Sequence, residues 1–363
     1  MHLLEPREHP SRLMKWLSPV VALLAMLIVG SILFMLLGVD PLQALYVFFI
    51  EPITTSYGWS ELVIKASPLI LIALGLAVGF RAKLFNIGAE GQLIMGAIFG
   101  GGVAILFQNQ VGFWILPLMI IMGALGGAIW GGIPAILKTH FNAEETLTTL
   151  MLNYVAMFIL LYLINGPWRD PDGMNFPQTI MFSESATLPI IFEGTRVNAS
   201  IFIAIIAVIV FWIFVKKSMS SYKLEVSGQA PLAARYAGFS AKHAVWTSLI
   251  ISGMMAGIAG ICEVAGPIGQ LNPNLSPGYG YAAIIVAYLG RLNPLGIVLS
   301  GLFMALIYLG GEMAQMQLQL PVAITGIFQG LLLFFLLASD ALIENRYRFA
   351  KKKVKAADAL ASQ

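Results

Sequence analysis

The chain has 363 residues, of which 58% are hydrophobic and only 11% charged, and its mean hydropathy is +0.84. Because soluble domains carry about 25% charged residues, this composition excludes an ordinary soluble protein and predicts an all-α protein that crosses a lipid bilayer many times. The single cysteine, Cys262, excludes an internal disulfide and any multi-cysteine metal site within this chain.

About ten apolar segments are candidates for membrane-spanning helices. They cover approximately residues 16–37, 66–80, 93–107, 113–136, 147–164, 201–215, 244–265, 279–289, 295–311 and 322–338. These segments predict an N-terminal tail over residues 1–15, a transmembrane domain over 16–338 and a basic tail over 339–363. A shorter apolar piece at 42–50 cannot cross a bilayer and is expected at its outer interface.

Basic residues predict the orientation. Arg7, Arg12 and Lys15 precede the first apolar run, which is too long for a signal peptide and therefore predicts an anchor with the N-terminus inside. Ten spans return the C-terminus to the same, cytoplasmic side. The Lys and Arg residues then left outside, of 21 in the chain, are Lys65, Arg169 and Arg196. This asymmetry satisfies the positive-inside rule.

Two of the predicted spans are too short. Residues 66–80 would form about 22 Å of helix and residues 279–289 about 16 Å, whereas the hydrocarbon core is about 30 Å thick. Each ends in a similar basic phrase, at 81–86 and 291–294. Short segments in matching places predict two pseudo-repeated halves around the central site of a transporter. Coincidence between two basic turns is the alternative.

The stretch Phe80-Arg-Ala-Lys-Leu-Phe-Asn-Ile-Gly-Ala-Glu-Gly-Gln92 places charged and amide side chains between two apolar segments. Charges at bilayer depth cost at least about 2.5–3.5 kcal/mol, so such groups usually face protein or a water-filled path. Read in this way, the stretch is a broken-helix lining of a translocation path. A cytoplasmic turn that uses Arg81 and Lys83 as anchors is the other interpretation.

Repeated small-residue spacings predict close helix contacts within one bundle. They are Gly75/Gly79, Gly96/Gly100, Gly127/Gly131, Gly253/Gly257 and Gly326/Gly330. The sequence contains no Gly-Lys dipeptide and hence no P-loop, and it contains no His-Glu-x-x-His motif. We therefore expect neither an enzyme nor a metal site, no nucleotide cofactor in this chain and no nucleic-acid partner.

A basic loop over residues 218–243 contains a predicted short helix. Pro231 suits the first turn of that helix, residues 232–237 continue it, and Gly238 ends it. A short helix of this kind, which displays small residues and Arg235, suits insertion into a groove of a partner. An ordinary interfacial loop helix is the alternative.

Four phrases resemble one family. They are similar to motifs of ABC importer permeases of the ribose/branched-chain amino acid superfamily. The four are the stretch 80–92, Thr148-Thr-Leu-Met-Leu-Asn153-Tyr-Val-Ala, Gly228-Gln-Ala-Pro-Leu-Ala-Ala-Arg-Tyr-Ala-Gly238, and Arg291-Leu-Asn-Pro-Leu-Gly296 followed by Gly311-Glu312 and Gln315. Within that superfamily the resemblance is to the nucleoside type, which works with basic membrane lipoprotein-like binding proteins. It covers about residues 60–340.

The resemblance implies a subunit of the bacterial inner membrane that imports a solute delivered by an extracytoplasmic substrate-binding lipoprotein. A separate ATPase subunit would bind the ATP and dock at residues 224–240. The coupling residues there would be Pro231, Ala233, Ala234, Arg235 and Gly238. A second permease, identical or different, would complete the pair. A purine nucleoside is the leading substrate, and a simple sugar or a flavin-like solute is the alternative.

For the solute path we expect Asn86, Glu90, Gln92, Asn153 and Glu263, whose amide and carboxylate groups could bind ribose hydroxyls or base edges. For Glu90, a helix-capping carboxylate is the alternative, favourable by about 0.3–1 kcal/mol. Two other readings stay open at this point. A proton-coupled transporter would use Glu90, Glu263 and Glu312 as relays. A scaffold without transport activity would need none of them.

Overall fold

The computed structural model describes residues 4–6 and 12–347. Its helices are α1 (Arg12–Leu36), α2 (Pro41–Leu45), α3 (Ser56–Arg81), α4 (Ala89–Leu106), α5 (Ile115–Phe141), α6 (Glu145–Asn165), α7 (Ser200–Lys217), α8 (Met219–Gln229), α9 (Pro231–Tyr236), α10 (Ala241–Glu263), α11 (Tyr279–Leu289), α12 (Pro294–Leu318) and α13 (Ala323–Glu344). Two three-residue strands, β1 (Leu4–Pro6) and β2 (Asn345–Tyr347), pair antiparallel.

Nine helices in the described part of the chain are long and apolar enough to cross a membrane, and α11 is a shorter apolar helix. The all-α membrane architecture is therefore confirmed, and α11 occupies the place of the predicted eighth span. Of the two predicted tails, residues 1–3, 7–11 and 348–363 lie outside the described residues. The cytoplasmic placement of the two termini stays a prediction.

The chain divides into two compact units. The smaller unit comprises residues 1–42 and 326–363 and contains α1 and most of α13. In it the ring of Phe34 lies 5.4 Å from the ring of Phe328, centroid to centroid. Gly326 and Gly330 were predicted to line a close contact, but no described atom lies within 4 Å of a Cβ atom built on either. The prediction is wrong for that pair.

The larger unit, residues 43–325, contains every candidate site residue. Its centre is a set of close backbone contacts between α4, α5 and α10. A Cβ atom on Gly127 would lie 2.0 Å from the carbonyl oxygen of Gly253, and one on Gly96 would lie 2.2 Å from Cα of Gly257. The predicted small-residue contacts are confirmed here, because any larger side chain would push these helices apart.

The length of α3 corrects the prediction that the second span is short. The predicted span begins at residue 66, after Glu61 and Lys65. In the structure Lys65 Nζ lies 2.8 Å from Glu312 Oε1, and Arg196 Nη1 lies 3.4 Å from Glu61 Oε2. Since both charges have partners, the helix continues through them and reaches 26 residues. At 11 residues α11 is as short as predicted.

Both α3 and α10 lead into non-helical segments that turn back into the bundle. After α3, Lys83 adopts a left-handed φ of +54°, and residues 82–88 run to the start of α4. After α10, a π-helical turn at Val264–Ile268 is followed by residues 269–278, which run to the start of α11. The first turns of α4 and α11 then meet, because a Cβ atom on Gly280 would lie 2.2 Å from the backbone nitrogen of Glu90.

The two arrangements are inverted relative to each other. α3 ends beside α8, where a Cβ atom on Gly228 would lie 2.7 Å from the carbonyl carbon of Ala82, whereas α10 begins at that end. The two segments that turn back into the bundle, residues 82–88 and 269–278, thus come from opposite ends, and the predicted repeat of two halves stays a prediction. The predicted match with residues 291–294 is wrong, since Arg81 Nη2 donates to the carbonyl oxygen of Leu292 at 3.0 Å and both phrases lie at the same end.

Residues 166–199 form the long connection between α6 and α7, at the end of the unit opposite α8 and α9. Backbone hydrogen bonds attach this connection to the segment that follows α10. The amides of Thr179, Phe182 and Leu188 donate to the carbonyl oxygens of Leu271, Gly269 and Ala265. The connection is therefore bound to the segment that leads into α11.

We predict that Gly127→Ala lowers the stability of the protein, since the new methyl group would overlap the backbone of α10. Overpacking of this kind costs about 1–3 kcal/mol. Gly330→Ala is the matched control, because open space surrounds that position. The apparent melting temperature in detergent, followed by fluorescence-detected size exclusion, is expected to fall for Gly127→Ala alone. Equal melting of both variants would contradict the close contact.

Candidate functional site

Asn86 is the centre of a buried polar cluster. Its Nδ2 donates to Gln92 Oε1 at 3.0 Å and to Ser252 Oγ at 2.8 Å, and its Oδ1 accepts from the backbone N–H of Gly88 at 2.8 Å. The side chains of Asn86, Gln92 and Ser252 are all buried. One amide therefore connects the non-helical segment 82–88 to α4 and α10. Ser252 is a member of the cluster that the sequence analysis missed.

Asn153 of α6 likewise joins segments that are distant in sequence. Its Oδ1 accepts from the backbone N–H of Gly91 at 2.8 Å, and its Nδ2 donates to the carbonyl oxygen of Ile87 and to the hydroxyl of Tyr281, both at 3.0 Å. A Cβ atom on Gly91 would lie 2.9 Å from Asn153 Oδ1, so this contact requires glycine. Tyr281 was also missed, because nothing in the sequence places α11 beside α6.

Glu90 lies where the first turns of α4 and α11 meet. Its Oε2 accepts from the backbone N–H of Gly280 at 2.7 Å, and its carboxylate also hydrogen-bonds the side chain of Ser276. Each helix N-terminus carries about half a positive charge, so a carboxylate between two of them is favoured. This is the capping arrangement that the sequence left open as the alternative, except that the capped helix is α11.

The cluster lies near the middle of the membrane-spanning helices. Ser252 is about 17 Å along the helix axis from Ala241, and Gly280 is about 14 Å from Leu289. Both distances are close to half of the hydrocarbon thickness of about 30 Å. Asn86, Glu90 and Gln92 therefore lie buried inside the bundle, whereas Ala82 stays at the end beside α8.

Four of the five predicted path residues come together, and Glu263 does not join them. It ends α10 at the opposite end of the bundle, where Lys65, Arg196 and Glu61 act on it electrostatically. Arg196 also donates to the carbonyl oxygen of Pro267 at 3.1 Å. Glu263 thus lies among charged residues that include Arg196 of the α6–α7 connection.

The loop over residues 218–243 contains more helix than predicted, because α8 lacks an apolar face that would have marked it in the sequence. Pro231 begins α9 and Gly238 follows it with a φ of +77°, as predicted. Ala234 points inward and is buried, whereas Leu232 and Tyr236, which were missed, are strongly exposed.

An ion pair links this loop to the broken helix. Arg81 Nη1 lies 3.6 Å from Glu225 Oε2 of α8, and the close approach of Gly228 to Ala82 brings the two backbones into contact. A displacement of α8 would therefore act directly on residues 82–88 and on the cluster around Asn86.

Residues 58–337 match the family described as the branched-chain amino acid transport system permease component. The chain belongs to this permease family. The resemblance inferred from the sequence motifs is thereby confirmed. The permease is a transport component and a multi-pass inner-membrane protein.

Three relatives match nearly the whole permease or most of it. A glucose ABC transporter permease of Haloferax volcanii is 36% identical over 95% of this chain and 92% of its own. A guanosine ABC transporter permease of Bacillus subtilis is 30% identical over 96% of this chain and 99% of its own. A nucleoside ABC transporter permease of Lactococcus lactis subsp. cremoris is 29% identical over 82% of this chain and 84% of its own.

We predict that Glu90→Ala destabilises the permease, because the buried N–H of Gly280 loses its acceptor. An unsatisfied buried donor costs about 1–3 kcal/mol. Glu90→Gln keeps an acceptor and is expected to lose less. The measurement is the apparent melting temperature of the purified protein, with Glu184→Ala, an exposed glutamate, as the control. If Glu90→Ala melts like the control, the carboxylate does not hold the two helices together.

Proposed function

We propose that this permease translocates a purine nucleoside across the membrane as one subunit of an ATP-driven importer. The observation that supports this substrate is the match over nearly the full length of the guanosine permease. The nucleoside permease is a second match of the same kind. Glucose is the second candidate, because the glucose permease shares more identity with this chain. Ribose and glucose both present hydroxyl groups that amides can bind.

A separate subunit supplies the energy in this proposal. The sequence has no P-loop, and ATP would be bound by an ATPase that docks on α9. Leu232 and Tyr236 offer the exposed apolar contacts, with Arg235 beside them, while the buried Ala234 packs the helix from within. Exposed apolar side chains on a short helix suit a groove in a partner.

The ion pair between Arg81 and Glu225 then provides the transmission. Closure of the ATPase would move α8, and α8 would move residues 82–88. These residues carry the hydrogen bonds that join α4, α6 and α10, so the junction of the α4 and α11 N-termini would rearrange. The two arrangements of this junction would differ in their contacts to the solute, which is what an alternating-access cycle requires.

The opposite end of the unit would receive the solute. A substrate-binding protein is proposed to dock on the α6–α7 connection, whose backbone is hydrogen-bonded to the segment leading into α11. Docking would thus reach the same junction from the other side. A second permease, identical or different, would complete the translocation path.

We predict that Leu232→Asp reduces solute uptake at least tenfold while the amount of permease in the membrane is unchanged. A carboxylate buried without a partner at a docking surface costs about 2–5 kcal/mol. Val111→Asp, an exposed apolar position at the opposite end, is the control and is expected to keep full uptake. Unchanged uptake by Leu232→Asp would argue against docking through α9.

The substrate test uses cells that lack their own nucleoside uptake and that express the permease with its ATPase and binding protein. Labelled guanosine is expected to accumulate, to persist when a protonophore is added under sustained ATP, and to be resistant to excess glucose. Accumulation of glucose in place of guanosine would select the second candidate. Loss of uptake with the protonophore would favour proton coupling through Glu90, Glu263 and Glu312.

A further inference from the structure

One exposed face of α6 carries aromatic side chains at helical spacing. Tyr154, Phe158 and Tyr162 lie 57%, 67% and 71% exposed and are spaced four residues apart, so they share one side of the helix. We call these three residues the α6 aromatic face. Tyr154 is about 14 Å along the helix axis from Glu145, which is the middle of the span.

The same side of α6 also exposes Leu147, Met151 and Val155, so the tyrosine hydroxyls are what distinguish it from a surface that contacts lipid tails. The exposed side of α5 presents the aliphatic residues Ile121, Leu125 and Ile129. Tyrosine normally collects at the two membrane interfaces, where its hydroxyl reaches water. Tyr154 is half a span from either interface, so in lipid its hydroxyl would lose its hydrogen bonds. Its position indicates water or a polar solute on that side of α6.

The face is also unlike a surface for close helix packing. Membrane helices that pack tightly present glycine and other small residues, as α4, α5 and α10 do at Gly96, Gly127 and Gly257. Residues 145–165 contain no glycine, and their single alanine, Ala156, faces inward and is completely buried. The exposed side of α6 therefore lacks the small residues that allow backbones to touch.

The α6 aromatic face adjoins the junction of the α4 and α11 N-termini. Tyr154 directly follows Asn153, whose Nδ2 holds the hydroxyl of Tyr281 at 3.0 Å. Tyr281 is 39% exposed, so its side chain reaches from Asn153 to the surface of the unit beside α6. The exposed tyrosines thus continue the buried cluster of Asn86, Asn153 and Glu90 to the surface of the unit.

We propose that the α6 aromatic face, together with Tyr281, lines the solute path and stacks against the purine base of the solute while its ribose passes the tyrosine hydroxyls. This inference rests on the proposed nucleoside import. Stacking on an aromatic side chain suits every base, because each has a π-face, and it needs no fixed hydrogen-bond pattern. Such contacts guide a nucleoside without trapping it.

The first test measures access to water and does not depend on uptake. The native chain has one cysteine, Cys262, which is buried, so single cysteines can be introduced directly. Tyr154→Cys and Phe158→Cys are compared with Ile209→Cys, an exposed position near the middle of α7. A charged, membrane-impermeant thiol reagent is applied to the assembled transporter in membranes. We expect labelling at 154 and 158 at least fivefold faster than at 209, and slower labelling when guanosine is present.

Slow labelling at all three positions would overturn the inference, because the face would then contact lipid or a second subunit. Labelling at 154 and 158 that guanosine leaves unchanged would place water there and overturn the stacking. If glucose slows the labelling and guanosine does not, the nucleoside proposal and the stacking both fail. Guanosine uptake by the unmutated permease therefore tests the proposed function. The labelling pattern tests whether the α6 aromatic face lines the solute path.

The second test separates stacking from folding. Tyr154→Leu and Phe158→Leu keep apolar bulk and remove the ring, and Phe202→Leu is the control. Uptake of guanosine is expected to fall at least fivefold in the first two variants, through a higher KM, while stimulation of ATP hydrolysis by the binding protein is retained. Equal guanosine uptake by all three variants, in cells where the parent imports guanosine, would overturn the stacking and leave the proposed function intact.

Discussion

A broken helix inside a membrane has backbone N–H and C=O groups that no water can satisfy, and each must find a partner within the protein. In this permease four side chains act as acceptors. Asn86, Thr149, Asn153 and Glu90 accept from the backbone N–H groups of Gly88, Ile87, Gly91 and Gly280, respectively. The side-chain amides of Asn86 and Asn153 also donate to groups on other segments. The junction of α4 and α11 exists because these few side chains complete its backbone hydrogen bonds.

That solution depends in turn on backbones that approach closely. The helices around the junction touch at glycine, and a Cβ atom on Gly257 would lie 2.1 Å from the carbonyl oxygen of Gly123. With larger residues the helices would separate, and the amides could no longer span the gap between them. Small residues and buried amides therefore work together: glycine sets the distance between the helices, and the amide side chains form hydrogen bonds across that distance.

The same junction is connected to both ends of the larger unit. At one end Arg81 and Glu225 join the broken helix to α8, and at the other the connection between α6 and α7 is hydrogen-bonded to the segment that leads into α11. These links differ in strength, because the ion pair is partly exposed and screened whereas the backbone bonds form a continuous set. A transporter that must respond to partners on both faces needs such connections, and here both reach one point.

Much of this protein followed from its sequence by itself. Composition and run length determined that it is an all-α membrane protein, and the phrases at 80–92 and 228–238 determined its family, because their residues and order are specific. Pro231 and Gly238 bounded α9, since their backbone preferences are local.

Only the tertiary structure decided how distant residues meet. It showed that α3 runs through Glu61 and Lys65, because their partners Arg196 and Glu312 are more than 130 residues away in the chain. It separated Glu263 from Asn86, brought Ser252 and Tyr281 into the cluster, and showed that residues 82–88 and 269–278 turn back into the bundle from opposite ends. Local sequence carries no record of which helix faces which. That information resides in the packing of glycine on backbone and in hydrogen bonds between segments far apart in sequence.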